Sequence, residues 1–177
     1  MQASTEFMTA NTRQAFAELF EQHRKIVFKV ANTYSRHPDD RADLAQEIAA
    51  QLWRAFPGYD PARSFSTWMY RIALNVAISF LRSHRHRDEH TEPLLDGHAE
   101  VVGAVDVTHE ADQHVRALNR FIEQLQPLDR ALLLLYLEDR SYREIADILG
   151  ISETSVATKI SRLKQRIRQD MAADATN

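Results

Sequence analysis

The sequence predicts an all-α chain of two small helical domains joined by a flexible acidic linker, the second domain ending in a helix-turn-helix. Three observations predict it. Glycine (4) and proline (5) are scarce among 177 residues, which disfavours turn-rich all-β folds. Apolar residues recur at three- and four-residue spacing through most of the chain, the mark of helices that bury one face. That spacing lapses from about Asp88 to Thr108, where Pro93, Gly97 and Gly103 stand among charged residues that are all acidic, as in a linker. The expected organisation is therefore a first domain over 8–87, a linker over 88–108 and a second domain over 109–172. Domains of this size bury a usable core but have little stability to spare.

The opening residues Met1 to Phe7 read as an added expression leader, with Met8 as the native start. From Thr12 to Tyr34, Phe16, Leu19, Phe20, Val27, Val30 and Ala31 follow helical spacing. His37-Pro38-Asp39-Asp40 breaks the pattern and supplies an aspartate as N-cap. A second helix then carries the stripe Leu44, Ile48, Leu52 and Phe56, and Pro57-Gly58-Tyr59-Asp60-Pro61 ends it, because proline and glycine do not continue a helix. A third segment runs from Ser64 to about His86 with Phe65, Trp68, Met69, Ile72, Val76, Phe80 and Leu81; periodicity alone leaves open whether its later half breaks.

In the second domain, Leu118, Phe121, Ile122 and Leu125 predict an amphipathic helix that stops before Pro127, and Asp129 to Glu138 a short, strongly apolar one. Ser141-Tyr142-Arg143-Glu144 has the capping-box pattern. Gly150 stands where a left-handed cap suits glycine, and Ser152 can cap the next helix. That helix presents Val156, Ile160, Leu163 and Ile167 on one stripe. A short helix, a glycine turn and a helix with a basic outer face form a helix-turn-helix.

Composition excludes several functions. Without cysteine there is neither a disulfide framework nor a thiolate metal site. No apolar run approaches the ~20 residues that span a bilayer, and no apolar signal region opens the chain, so a cytoplasmic location without membrane association is expected. His84, His86 and His90 cluster, but among arginines that repel a cation, and no paired carboxylates support a metal site. No phosphate-cradling loop or nucleophile motif occurs, so neither a cofactor nor enzymatic activity is expected.

The net charge of −3 conceals segregation: Arg82, Arg85 and Arg87 precede the acidic stretch, and Lys159, Arg162, Lys164, Arg166 and Arg168 form a basic run near the end. If Val156, Ile160 and Leu163 face the core, then Ser155, Thr158, Lys159, Arg162 and Arg166 face outward, where hydroxyls and cations can meet phosphates and base edges. A solvated basic face on an ordinary helix pair has the same pattern. In the Ser64–Arg87 segment, Phe65, Trp68, Tyr70 and Phe80 interleave with Arg71, Asn75, Arg82, Arg85 and Arg87. Stacking surfaces and cations together suit a separated DNA strand, although aromatics at helical spacing also simply build cores. Asp40, Asp43 and Glu47 share a helical face, either for docking a basic partner or to complement the helix dipole.

These stretches together resemble a family. Asp43-Leu44-Ala45-Gln46-Glu47 and Phe65-Ser66-Thr67-Trp68-Met69-Tyr70-Arg71-Ile72-Ala73-Leu74-Asn75 resemble regions 2.2 and 2.3 of extracytoplasmic-function (ECF) sigma factors. Leu125, Pro127 and Tyr142-Arg143-Glu144-Ile145-Ala146-Asp147-Ile148-Leu149-Gly150-Ile151-Ser152, with Val156 onward, resemble region 4. The resemblance implies a factor that directs RNA polymerase to promoters and opens them. Asp40, Asp43, Gln46 and Glu47 would bind the β′ clamp helices of the bacterial polymerase core, and the second domain its β flap. Asn75, Ser79, Arg82 and Arg85 would hold −10 DNA. Ser155, Thr158, Lys159, Arg162 and Arg166 would read the −35 element.

Three departures from the family pattern stand out: Arg41-Ala42 interrupts the usual acidic stretch, Ser79 replaces a common aspartate, and Ala157 replaces a frequent basic residue. The weakened acidic patch fits a regulatory kinase acting on Ser64, Ser66 or Thr67; the competing regulator is an anti-sigma factor. A stand-alone helix-turn-helix regulator and an anti-sigma-like adaptor are the rival functions. The sequence allows both a compact and an extended arrangement of the domains.

Overall fold

The structure, a computed structural model, describes residues 10–88 and 109–174. The expected linker, 88–108, lies outside the described part except for Asp88, which ends α4, and the expected leader, Met1 to Phe7, falls within the first nine residues, also outside it. Among the described residues all regular structure is helical: α1 (Ala10–His23), α2 (Lys25–Tyr34), α3 (Pro38–Ala55), a short 3-10 turn (Phe56–Gly58), α4 (Phe65–Asp88), α5 (His109–Gln124), α6 (Pro127–Leu137), α7 (Tyr142–Leu149) and α8 (Glu153–Asp174).

The first predicted helix is two. The chain breaks at Arg24, where His23 Nδ1–H donates to the Leu19 carbonyl at 2.9 Å and satisfies an acceptor at the end of α1. Such local side-chain bonds compete with the helical ladder. The start of α3 also differs from expectation: His37 is the extended cap residue, Pro38 opens the helix, and Asp39 and Asp40 lie in its first turn. Proline suits that position because its missing N–H has no helical partner there, and the two carboxylates complement the helix dipole.

α2, α3 and α4 pack on one another around Val27, Val30, Leu44, Ile48, Leu52, Met69, Leu74 and Ala77. Pro57 tightens the end of α3 into the 3-10 turn, after which Tyr59 donates its hydroxyl to the Arg63 carbonyl at 2.7 Å and Asp60 accepts from the Ala62 amide at 2.9 Å. Ser64 then precedes α4, and its carbonyl accepts from Trp68 N–H at 3.1 Å. α4 runs unbroken to Asp88, which settles the point that periodicity left open.

In the second half, α8 packs on α5, α6 and α7. Arg130 is buried, and its guanidinium donates to the carbonyls of Glu123 and Leu125 at the end of α5, which fixes the α5–α6 corner. A buried cation that satisfies helix-end carbonyls answers the acceptors that a helix terminus leaves open. The halves are not separate bodies. α6 packs on α2 and α4, α7 packs on α4, and the buried apolar residues of both halves form one connected cluster.

Candidate nucleic-acid interface

The helix-turn-helix is built from local bonds. Ser141 Oγ accepts from Glu144 N–H at 3.2 Å, while the Glu144 carboxylate accepts from Ser141 N–H at 2.9 Å and from its hydroxyl at 2.8 Å. Those bonds, the Ser141 amide first, hold the Glu144 carboxyl below its ordinary pKa. Gly150 takes the left-handed conformation at φ 68, and its N–H closes on the Ala146 carbonyl at 2.8 Å. A side chain there would strain the backbone. Ser152 Oγ accepts from Ser155 N–H at 3.1 Å and donates to the Ser155 hydroxyl at 2.9 Å, so it caps α8.

α8 buries Val156, Ile160 and Leu163 and turns Thr158, Arg162 and Arg166 to solvent. Ser155 and Lys159 are only half exposed. Lys159 Nζ lies 3.8 Å from an Asp129 oxygen of α6, and the Arg166 guanidinium lies over the Phe121 ring at 5.5 Å. Thr158 donates its hydroxyl to the Thr154 carbonyl at 2.9 Å. Among the described residues, Arg162 has no hydrogen-bond or ion-pair partner, which leaves its five donors available. Thr154 is exposed in the first turn of α8 and is not among the residues singled out from the sequence; it occupies the end at which a recognition helix would meet base edges.

α4 has two characters. Phe65, Met69, Tyr70, Ala73, Leu74 and Ala77 are buried, whereas Arg71, Asn75, Ser79 and Arg82 are exposed along one stripe. Asn75 makes no hydrogen bond among the described residues. Of the aromatics read as stacking surfaces, Phe65 and Tyr70 are core, and Trp68 and Phe80 are half-buried against it. Trp68 stands 5.1 Å from Tyr59 and 5.2 Å from Phe65, at the edge of an aromatic group that continues through Phe56 and Phe16 to Trp53. The side chain of Arg85, and the cluster of His84, His86 and His90, fall outside the described side chains.

On α3, Asp43, Gln46 and Glu47 are exposed and Asp40 is half-buried, opposite the buried Leu44, Ile48 and Leu52. Glu47 is already engaged: Gln51 donates to it at 2.8 Å, and Arg54 lies 3.9 Å away. The chain thus carries an acidic face on α3, a polar and basic stripe on α4 and a basic outer face on α8. The first two share one helical bundle and the third lies on the other. Among the described residues no group of His, Asp or Glu is arranged to hold a metal, and no helix is long and apolar enough to cross a membrane.

Two family models match this order of faces: Sigma-70 region 2 over residues 19–87 and Sigma-70 region 4 over residues 116–167. The ECF RNA polymerase sigma factor RpoE of Cereibacter sphaeroides is 30% identical over 160 residues, covering 89% of this chain and 87% of that one. The chain belongs to the ECF sigma factors of the sigma-70 family. A probable RNA polymerase sigma factor, RfaY of Xanthomonas campestris, is 28% identical over 92% of the chain, and SigE of Mycolicibacterium smegmatis is 31% identical over 88%. The chain spans 42% of the length of RfaY and 61% of that of SigE. In fold it is similar to CnrH in complex with the cytosolic domain of CnrY (TM-score 0.66, 21% identity, 92% of this chain and 90% of that one). It is also similar to RpoE of Bartonella quintana in complex with the anti-sigma factor NepR (TM-score 0.64, 16% identity, 94% and 99%). The α2–α4 bundle is accordingly region 2, and α5–α8 is region 4.

Proposed function

We propose that this sigma factor brings RNA polymerase to promoters and opens them through the three faces described above. The observation that carries the proposal is the pairing, in one chain, of an exposed Asn75 stripe on α4 with an exposed Arg162 on α8 that has no partner among the described residues. One face suits a separated strand and the other a major groove. In this reading 8–87 and 109–172 are working domains and 88–108 connects them. Asp40, Asp43, Gln46 and Glu47 meet the β′ clamp helices, and region 4 meets the β flap. Asn75, Ser79, Arg82 and Arg85 hold the opened −10 strand. Ser155, Thr158, Lys159, Arg162 and Arg166 engage the −35 duplex. The factor works in the cytoplasm beside the polymerase and carries out no chemistry of its own.

An anti-sigma factor is the regulator this reading favours, because two sigma factors of similar fold are held by CnrY and NepR. A kinase acting on Ser64 remains the second candidate: the hydroxyl is exposed, and its bond to Thr67 N–H is long at 3.5 Å.

Promoter-dependent transcription with core polymerase tests the proposal. The wild-type chain should initiate at specific sites. Asn75→Ala should bind core normally but lower thymine reactivity in the opened −10 region. Specific initiation that survives Asn75→Ala with unchanged strand reactivity would remove Asn75 from the interface, and absence of initiation with core bound would point to an adaptor.

A further inference from the structure

Charge is spread unevenly around the axis of α8. Its cations turn onto neighbouring helices: Lys159 Nζ lies 3.8 Å from an Asp129 oxygen of α6, Lys164 Nζ lies 4.4 Å from the centre of the Tyr136 ring of α6, and the Arg166 guanidinium lies over Phe121 of α5. They occupy the two flanks of the helix. The side opposite the buried Val156, Ile160 and Leu163 carries Thr154, Thr158, Ser161 and Gln165, spaced i, i+4, i+7 and i+11 and all exposed. Arg162 borders that stripe. Ala157, where the family often carries a basic residue, adds no cation.

A recognition helix in a major groove brings its flanks to the phosphate backbones and its outer stripe to the base edges. The middle of α8 therefore meets bases with small side chains, and Thr154 and Ser161 are too short to hold the helix away from them. Thr158 stands at the centre of the stripe. Its hydroxyl donates to the Thr154 carbonyl one turn back at 2.9 Å, so its single donor is spent on the helix's own backbone. The same bond fixes χ1. Beside oxygen lone pairs, what this side chain still offers is a methyl group held in one position. In the major groove the base marked by a methyl is thymine, at C5. Packing one methyl on the other takes both out of water and needs no hydrogen bond.

We propose that Thr158 is the thymine reader of the −35 element: its methyl packs on the C5 methyl of one thymine, beside the base that Arg162 engages. The inference rests on the reading of α8 as the −35 helix. It adds which base the centre of that helix selects, and by what force.

The test removes one methyl from each partner in turn. Holoenzyme formed from core polymerase and the full chain first selects its −35 element from a promoter library randomised there. Each thymine of the selected element is then replaced by deoxyuridine, which keeps the base pair and lacks only the C5 methyl. Binding should fall about fourfold at one position, the worth of one buried methyl group, and hold at the others. Thr158→Ser keeps the hydroxyl and loses the methyl. It should bind the thymine promoter about fourfold more weakly than wild type and no longer distinguish thymine from deoxyuridine at that position. Thr158→Val keeps the methyl and loses the hydroxyl, and it should keep the distinction. Thr158 is exposed, so neither change should move the melting temperature by more than about 2 °C. A selected element without thymine, equal wild-type binding of every deoxyuridine form, a deoxyuridine penalty that persists in Thr158→Ser, or loss of the distinction in Thr158→Val would overturn the thymine reading. Specific promoter binding, and with it the sigma-factor reading, would stand in each of those cases. A wild-type holoenzyme that selects no −35 sequence would overturn both.

Discussion

Arg162 and Lys159 are neighbours on α8, and the structure separates what their loss should do. Arg162 is exposed with no partner among the described residues, so Arg162→Ala should leave stability within about 0.5 kcal/mol of wild type. A bidentate arginine contact to a base edge is worth about 1–3 kcal/mol of discrimination, or roughly 5- to 150-fold at about 1.4 kcal/mol per tenfold. That loss should fall on particular −35 sequences. Lys159 is half-buried and 3.8 Å from Asp129, so part of its charge is already committed; an ion pair this exposed contributes about 0–1 kcal/mol. Lys159→Ala should therefore cost less sequence discrimination than Arg162→Ala, and Asp129→Asn, which frees the ammonium, should tighten DNA binding, most visibly at low salt. The assay is initiation by reconstituted holoenzyme on a promoter panel scanned through the −35 element at several salt concentrations. A uniform loss across all −35 sequences for Arg162→Ala, with a salt slope reduced by about one, would refute base reading and make Arg162 a phosphate contact.

Three further outcomes follow from the packing. Ser141→Ala removes a helix cap worth about 1 kcal/mol. Because both halves share one core, the midpoint of whole-chain unfolding should fall by about 2–4 °C, whereas region 4 melting independently would lose about 4–8 °C; calorimetry distinguishes them. Ile48→Ala, at a site with no exposed surface, should cost about 2–5 kcal/mol in a urea titration. In alkali, burial first and the Glu138 charge second push the Tyr70 hydroxyl up to about 12, and burial raises Tyr34 too. With the folded pKa above the unfolded value of 10.0, their stabilising contribution is complete below pH 10 and is lost as pH rises toward 12. Phenolate absorbance should show both tyrosines titrating late, and an ordinary pKa for Tyr70 in Tyr70-only difference spectra would refute its burial.

Much of this molecule was legible because its signals are local. The Ser141–Glu144 box, the left-handed Gly150 and the Ser152 cap each span four residues or fewer, and each forms as the pattern requires. The inward stripe of α8 follows in the same way from 3.6-residue periodicity. The break at Arg24 was not legible, since the apolar spacing runs across it and only the bond from His23 to Leu19 marks it. Nor was the closed arrangement. Lys29 and Glu138 are 109 positions apart, and each looks like an ordinary surface charge on its own helix. An ion pair between distant elements has no period, and nothing in the pattern around Tyr34 or Tyr70 says which half of the chain covers it.

α4 shows why the functional reading needed the structure to be sharpened. The sequence pattern credited its aromatics and its polar residues jointly with capturing DNA. Phe65 and Tyr70 are buried, and Tyr70 carries the Arg140 guanidinium on its face, so they are unavailable for stacking. What remains on the open side is Arg71, Asn75, Ser79 and Arg82, with half-buried Trp68 beside them. A strand held there, as proposed, is gripped by cations and one amide, with only the half-buried rings of Trp68 and Phe80 to stack on. Stacking is worth about 1–3 kcal/mol per base and tolerates any sequence, whereas an amide with free donor and acceptor selects the base whose edge complements it. If α4 holds the −10 strand as proposed, its geometry shifts the expected preference away from strand-wide stacking and toward a base opposite Asn75.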